Sequence, residues 1–422
     1  MFGHPSNWFS QLRTFNRSAR LFLLAMALDG LLMSGWQLFF NLYILEAGYS
    51  RDFLGLLTSL RSVSALLFGI PIGMLTDRIG RRRALIFGVI LATITMVGMV
   101  TVREQNWMLV LAFLTGIGES FWVLSQAPLM MQVSDEKNRT LLFSLQAGLI
   151  TLSSALGNLL AGALPGLFGA WLGVPQKSAA AYQAVVVASV LAGALTLIPF
   201  FLMTEPPRKG PMTSWNWRSL PVARVLARPL TLQLATPNLL IGLGAALLIP
   251  YLNVFYVDRF QVSDQTLGSV FSLLAIMTGV GTLFSPRLAR GLGTKIRAVV
   301  TVQGISVLFL ALIGLAPVLW MSVIGFLMRG MLMNMAAPLW SAFSMEQTPE
   351  HEHGTVNSIQ NIAWSLGWAI GPFLSGIVQE RYGFTPLFIT TSILYALAIG
   401  LTWLMFHGHE QARQTSRLPE AV

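Results

Sequence analysis

The 422-residue chain contains no cysteine. Disulfides, thiolate nucleophiles and cysteine-based metal sites are therefore excluded. Charge is scarce as well, at 10% of residues against roughly a quarter in a soluble domain. A chain so poor in charge, and 54% hydrophobic, cannot cover its surface with groups that water solvates. It also lacks a glycine loop shaped for nucleotide, a credible metal-ligand cluster and a Ser-His-Asp arrangement. The sequence thus points to no enzyme and no cofactor.

What is present is a series of apolar runs of about 20 residues, each long enough to cross a hydrocarbon layer near 30 Å. Short alternating segments, the mark of a membrane barrel, do not occur, so the spans are predicted to be helices. They are expected near Leu21–Glu46, Phe53–Met74, Ala84–Val102, Trp107–Met131, Leu141–Leu164 and Ala179–Met203. A second set is expected near Leu232–Val257, Leu267–Leu288, Ala298–Ala316, Val318–Phe343, Val356–Val378 and Pro386–Phe406. The first run is full-length and reads as a retained helix, not a removed signal peptide.

Basic residues outnumber acidic ones, 27 to 17, which raises the question of nucleic acid. Their placement answers it. With both termini inside the cell, 20 of the 27 basic residues fall in inner segments and 5 in outer ones. That bias is the positive-inside pattern, so it predicts a multi-pass protein of the plasma (inner) membrane with both termini cytoplasmic, and no nucleic-acid partner. The longest hydrophilic stretch, 204–231, lies midway and is rich in Pro and Arg. Trp215, Trp217, Arg218, Arg224 and Arg228 suit a segment resting at the inner interface, linking halves 1–203 and 232–422.

The halves repeat. Ala127-Pro128-Leu129 matches Ala337-Pro338-Leu339. Ser144, Gln146, Gly157, Gly162 and Gly169 match Ser358, Gln360, Gly371, Gly376 and Gly383, and Asn41 matches Asn253. Two parallel halves related by an axis along the membrane normal are a transporter plan.

After the second predicted span comes Gly73-Met-Leu-Thr-Asp77-Arg78-Ile-Gly80-Arg81-Arg82-Arg83. This resembles the signature loop of the major facilitator superfamily: Gly, an Asp-Arg pair, Gly, and a basic run. The equivalent loop of the second half keeps Leu288, Gly293 and basic residues, with Arg290 where Asp77 would be. The resemblance covers essentially the whole chain. It implies an all-α fold of two pseudo-symmetric six-helix bundles, a small-molecule substrate and alternating access. It also implies that Gly73, Asp77, Arg78, Gly80 and Arg81 form a gating latch on the cytoplasmic side. Two other family patterns depart here: the fourth span reads Thr115-Gly-Ile-Gly118-Glu119 without the Arg of proton-coupled members, and Asn158 follows Gly157 in the fifth. Gly69 with Gly73, and Gly367 with Gly371, sit four apart and are expected to allow close helix approach.

Four charges fall deep inside spans: Asp29, Arg61, Glu119 and Arg329. At 1.5 Å per residue each lies about 13–20 Å from the start of its span. An unpaired charge there costs at least ~2.5–3.5 kcal/mol on insertion scales, so pairing is expected. Glu119 and Arg329 occupy matching repeat positions. In the family fold the first, fourth, seventh and tenth helices line a central cavity, so these two are predicted to line it, as an ion pair or as shared substrate contacts.

Helical spacing extends the set. Glu119, Trp122 and Gln126 share one face, as do Asp29, Met33, Trp36 and Phe40. The eleventh span adds Asn357, Gln360, Asn361 and Trp364. An aromatic pocket with a few polar points suits an amphiphilic organic molecule. Asp29 and Glu119 are the candidate proton carriers. The sequence therefore reads as a monomeric, lipid-embedded secondary carrier exporting amphiphilic molecules against protons. Two alternatives stay open: an uptake carrier or uniporter for a sugar or carboxylate, with Arg61 and Arg329 binding the anion, and a non-transporting receptor.

Overall fold

In the computed structural model of the protein, residues 15–204, 228–349 and 352–415 are described. The predicted linker 204–231, with Trp215, Trp217, Arg218 and Arg224, falls largely outside them, as do most of both tails. All regular structure among the described residues is helical. Among the described residues, twelve helices are long and apolar enough to cross a membrane. The first six are Arg17–Glu46, Arg51–Ile79, Arg81–Thr101, Gln105–Val133, Asn138–Leu172 and Ala179–Leu202. The second six are Pro229–Phe260, Asp264–Leu292, Lys295–Leu315, Leu319–Gln347, His353–Tyr382 and Thr385–Gly408. The expected twelve spans are all present, and the fifth runs further than Leu164, because Pro165 starts a fresh helical turn after a break at Gly162.

Two spans at equivalent places in the repeat are interrupted. The first is two helices, Arg17–Leu32 and Ser34–Glu46, joined at Met33. No proline causes this break. The Ser34 hydroxyl donates to the Gly30 carbonyl, competing with the backbone ladder. The seventh is Pro229–Leu248 and Leu252–Phe260, joined by a tight turn at Ile249–Tyr251 that contains Pro250. Interrupted spans in corresponding positions of two halves mark binding regions in transporters.

The chain forms two compact units. One contains the described residues up to Gly48, those from Leu60 to residue 204, and Asp264–Ser272. The other contains Tyr49–Ser59, residues 228–263 and the described residues from Leu273 on. In the first unit Phe22, Met26, Leu129, Met130 and Phe200 form a shared core of the first, fourth and sixth spans. In the second, Leu234, Ile296, Phe343, Val356 and Phe406 do the same for the seventh, ninth, tenth, eleventh and twelfth.

The repeated glycines make the same contact in each unit. A Cβ on Gly157 would meet the Gly30 and Leu31 carbonyls of the first span. One on Gly371 would meet Ala246 and the Leu243 carbonyl of the seventh. Gly162 packs on Gly268 inside the first unit, and Gly376 packs on Gly55 inside the second. Small residues at such crossings let backbones approach and gain dispersion contact.

Gly69 and Gly73 behave differently from expectation: a Cβ on either would meet nothing within 4 Å. The close approach of the second span lies one to two turns earlier, where Gly116 of the fourth span packs on the Arg61 carbonyl and Ser64. Gly116→Ala is therefore expected to lower the thermal midpoint of the detergent-purified protein, at a cost of about 1–3 kcal/mol of overpacking. Gly69→Ala should leave the midpoint unchanged or raise it slightly, since alanine favours helix by about 1 kcal/mol.

Candidate functional site

The close packing at Gly116 brings two charges together in the first unit. Glu119 lies one turn along the fourth span, and its carboxylate accepts from the Arg61 guanidinium of the second span. Both side chains are partly screened from solvent, at 35% and 23% exposure. The Arg61 guanidinium also sits 5.7 Å from the ring centre of Trp36 on the first span. An indole face attracts a cation through its quadrupole, more strongly where water is scarce. Trp36 itself is 3% exposed and stacks on Phe40 with ring centres 4.3 Å apart. Arg61 Nε is buried and has no hydrogen-bond partner among the described residues.

Asp29 belongs to the same region. It is half-buried on the first span, and its carbonyl accepts from the Met33 N–H at the helix break. Glu119 is near enough to act on it electrostatically. Three ionisable groups thus share the interior of this unit, two acidic and one basic. Trp122 lies edge-on to Phe200 at 5.7 Å and packs against the core. Gln126 accepts from the Gln146 amide at 3.2 Å.

Arg329 takes a different partner from the expected Glu119. It is 6% exposed in the second unit, where its guanidinium donates to the Tyr395 hydroxyl at 2.5 Å and lies 5.6 Å from that ring's centre. Its Nε is unpartnered among the described residues. Repeat symmetry located both residues but not their contacts, since a side chain takes the partner that its own bundle supplies.

The second unit also holds a cavity of about 320 Å³ between the seventh, ninth, tenth, eleventh and twelfth spans. Gln360, Asn361 and Trp364 line it, with Asn357 one turn earlier. Gln360 is its hub: its side-chain oxygen accepts from Asn238 at 2.8 Å, from the Trp340 indole at 3.0 Å and from Ser344 at 3.3 Å. Asn238, Gln303 and Asn334 also line the cavity and were missed from the sequence. The signal was there: isolated amides in apolar helices are costly unless they have a task. Among the described residues, no charged side chain lines the cavity.

The signature loop forms a second recess of about 450 Å³, bounded by residues 76–83 with Gln132 and Thr204. Asp77 pairs with Arg81 one turn on. Gly80 between them has φ 96°, a conformation that a side chain disfavours, and Gly293 in the matching loop has φ 82°. The turn therefore survives in the second half although the acid does not. Arg82 fastens the end of the sixth span, its Nε donating to the Phe200 carbonyl at 2.7 Å and its Nη2 to Phe201 at 2.8 Å. Arg78 is exposed, and Gly73 faces open space.

Among the described residues, twelve apolar helices in a repeated pair of bundles, with ionisable groups and a polar cavity inside them, define a multi-pass membrane protein built on a transporter plan. The sequence profile of the Major Facilitator Superfamily matches residues 22–372 and 234–421, and the chain belongs to that family. It is 24% identical over 360 residues to the multi-drug resistance efflux pump PmrA of Streptococcus pneumoniae, covering 83% of this chain and 86% of that one. It is 29% identical over 178 residues to the multidrug resistance protein MdtG of Yersinia enterocolitica, covering 41% and 42%. Among solved structures, a bacterial homologue of the human lysosomal transporter Spinster, in an inward-facing and occupied conformation, superposes with a TM-score of 0.74. That pair shares 17% identity, over 96% of this chain and 97% of the other. The nucleoside transporter NupG superposes with a TM-score of 0.76 at 13% identity, over 93% and 100%.

The two intramembrane arginines should respond differently to removal. Arg61→Met strands the Glu119 carboxylate, so its thermal midpoint should fall, by about 1–3 kcal/mol between the exposed and buried limits for ion pairs. Arg329→Met strands only the neutral Tyr395 hydroxyl and should leave the midpoint unchanged or higher. Differential scanning fluorimetry of the purified variants reads both.

Proposed function

We propose that this transporter exports amphiphilic small molecules in exchange for protons, as a drug-efflux-type antiporter of the plasma (inner) membrane with cytoplasmic termini. The observation that carries the reading is the second-unit cavity, which combines two indole faces with amide groups and no fixed charge. Such a lining accepts varied aromatic and amphiphilic molecules by stacking and short-range hydrogen bonds. The likeness to a named multi-drug efflux pump over 83% of the chain supports it.

The carboxylate-uptake alternative relied on Arg61 and Arg329 meeting an anion. Arg61 is engaged by Glu119, and Arg329 is absent from the cavity lining. The drug-export reading is thus favoured by the side chains a ligand would meet.

For coupling, Asp29 and Glu119 are the proposed carriers. Glu119 has a cationic partner that charge exchange can release, and Asp29 has a like-charged neighbour. Protonation of one acid changes the demand on Arg61, which links proton occupancy to helix packing. The signature loop, through Asp77, Arg78, Gly80 and Arg81, is the proposed gate. The proposed substrate contacts are Asp29, Trp36, Glu119, Trp122 and Gln126 in the first unit and Gln360, Asn361 and Trp364 in the second; Arg329, held by Tyr395 and outside the cavity lining, is not among them. The cavity carries the greatest weight for Gln360, Asn361 and Trp364.

The test is export of N-phenyl-1-naphthylamine, a neutral aromatic amine, by proteoliposomes under an imposed pH gradient. The wild-type protein should export, and collapse of the gradient should stop it. Asp29→Asn and Glu119→Gln are each expected to reduce gradient-driven export at least tenfold while binding of the probe persists. Full export by both amide variants would overturn the proton-carrier assignment, and absence of export by the wild type would overturn the drug-export reading.

A further inference from the structure

The second-unit cavity is lined by one amide whose side-chain oxygen is buried and unpartnered among the described residues. Gln303, on the ninth span, lines the cavity and is 7% exposed. Its side-chain oxygen is buried and has no hydrogen-bond partner among the described residues. Buried amide oxygens in folded proteins are almost always paired, and an orphan carries the full cost of its lost hydration. The partner must therefore come from what fills the cavity.

Gln360 shows the contrast. Its oxygen already accepts from Asn238, Trp340 and Ser344, which saturates it and holds the amide in one orientation. The Asn334 amide nitrogen donates to the Gly330 carbonyl at 2.9 Å. Gln303 is the lining amide whose side-chain oxygen is both buried and unpartnered among the described residues. An acceptor selects for N–H or O–H donors. The uncharged lining selects against a formal charge, which would lose its hydration with no counter-ion in reach. Trp340 and Trp364 add flat apolar faces against which an aromatic ring can stack.

We infer that the second-unit cavity is a subsite for a neutral aromatic group bearing a hydrogen-bond donor, and that Gln303 is the residue that reads the donor. The inference rests on the cavity being ligand-binding, as the proposed function has it, and specifies what that cavity prefers. Recognition by an unpaired buried group has a characteristic consequence. A ligand lacking the donor leaves the orphan buried and dry, so discrimination is larger than a solvent-exposed hydrogen bond would give.

Carbazole and 9-methylcarbazole isolate the effect. Both are rigid, neutral and aromatic, and they differ by one N–H. Scintillation proximity binding of radiolabelled carbazole to the full-length protein in detergent, with 9-methylcarbazole as competitor, gives both affinities. The wild type should prefer carbazole by about two- to tenfold, the worth of one neutral hydrogen bond. Gln303→Met and Gln303→Leu, each checked for an unchanged elution profile, should bind the two compounds equally while retaining the 9-methylcarbazole affinity. Equal binding of both by the wild type, no binding of either, or a preference that survives both replacements would each overturn the inference. The wild-type comparison decides even if a variant folds poorly. Export of the neutral N-phenyl-1-naphthylamine by the same preparation separates the two readings: export without donor discrimination removes this inference alone, whereas absence of export removes the broader proposal.

Discussion

Hydrocarbon offers a peptide group or a charge no partner, and every element of this protein follows from that constraint. The backbone answers with helices, the one open-chain arrangement that satisfies its amides locally. Side chains must answer individually. Glu119 is admissible on the fourth span because Arg61 meets it, and Arg61 can meet it because Gly116 removes the side chain that would hold the two helices apart. Glycine, ion pair and Trp36 ring therefore form one dependent set. The second unit holds its deep arginine without an acid: Arg329 is held by a phenol, and the cavity is polar through neutral amide, hydroxyl and indole groups.

The two units use a common construction. Each interrupts its first span, at Met33 and at Ile249–Tyr251, and each seats a glycine of a later span against it. Gly157 and Gly371 are the paired residues, and the matching turns keep Gly80 and Gly293 at positive φ. What the repeat preserves is backbone geometry. What it releases is side-chain chemistry: Asp77 has Arg290 as its counterpart, and Glu119 has Arg329. A duplicated scaffold can thus carry charge chemistry in one unit and neutral recognition in the other.

Much of this was legible before any coordinates. Span number follows from run length, and the signature loop from its residue order, because both are local properties. The Gly367 and Gly371 contacts were also legible, whereas the similar Gly69 and Gly73 pair faces open space. Spacing says which residues share a face, but not what that face meets. The same limit applies to Trp36 and Trp122: both lie on the predicted faces, yet Trp36 is closed in by Phe40 and Arg61, and Trp122 by Phe200. Partners distant in sequence were beyond reach, as with Arg61 and Glu119. The break at Met33 was hidden because a serine hydroxyl, not a proline, diverts the ladder. Gln303 was overlooked because one amide in an apolar helix gains meaning only when its neighbours leave it unanswered.

Arg82 illustrates how one residue can be judged at two moments in the life of the chain. During insertion only its positive charge counts, weighed with its neighbours in setting orientation. After assembly the planar fork counts, because Nε and Nη2 together hold the Phe200 and Phe201 carbonyls. Lysine would satisfy the first requirement and fail the second, since an ammonium cannot reproduce that two-point geometry. A correctly threaded molecule with an unfastened sixth span would result, invisible to any assay of orientation. Its signature would be a shortened cellular lifetime, with surveillance proteases acting as the readers of a defect that the insertion machinery had passed.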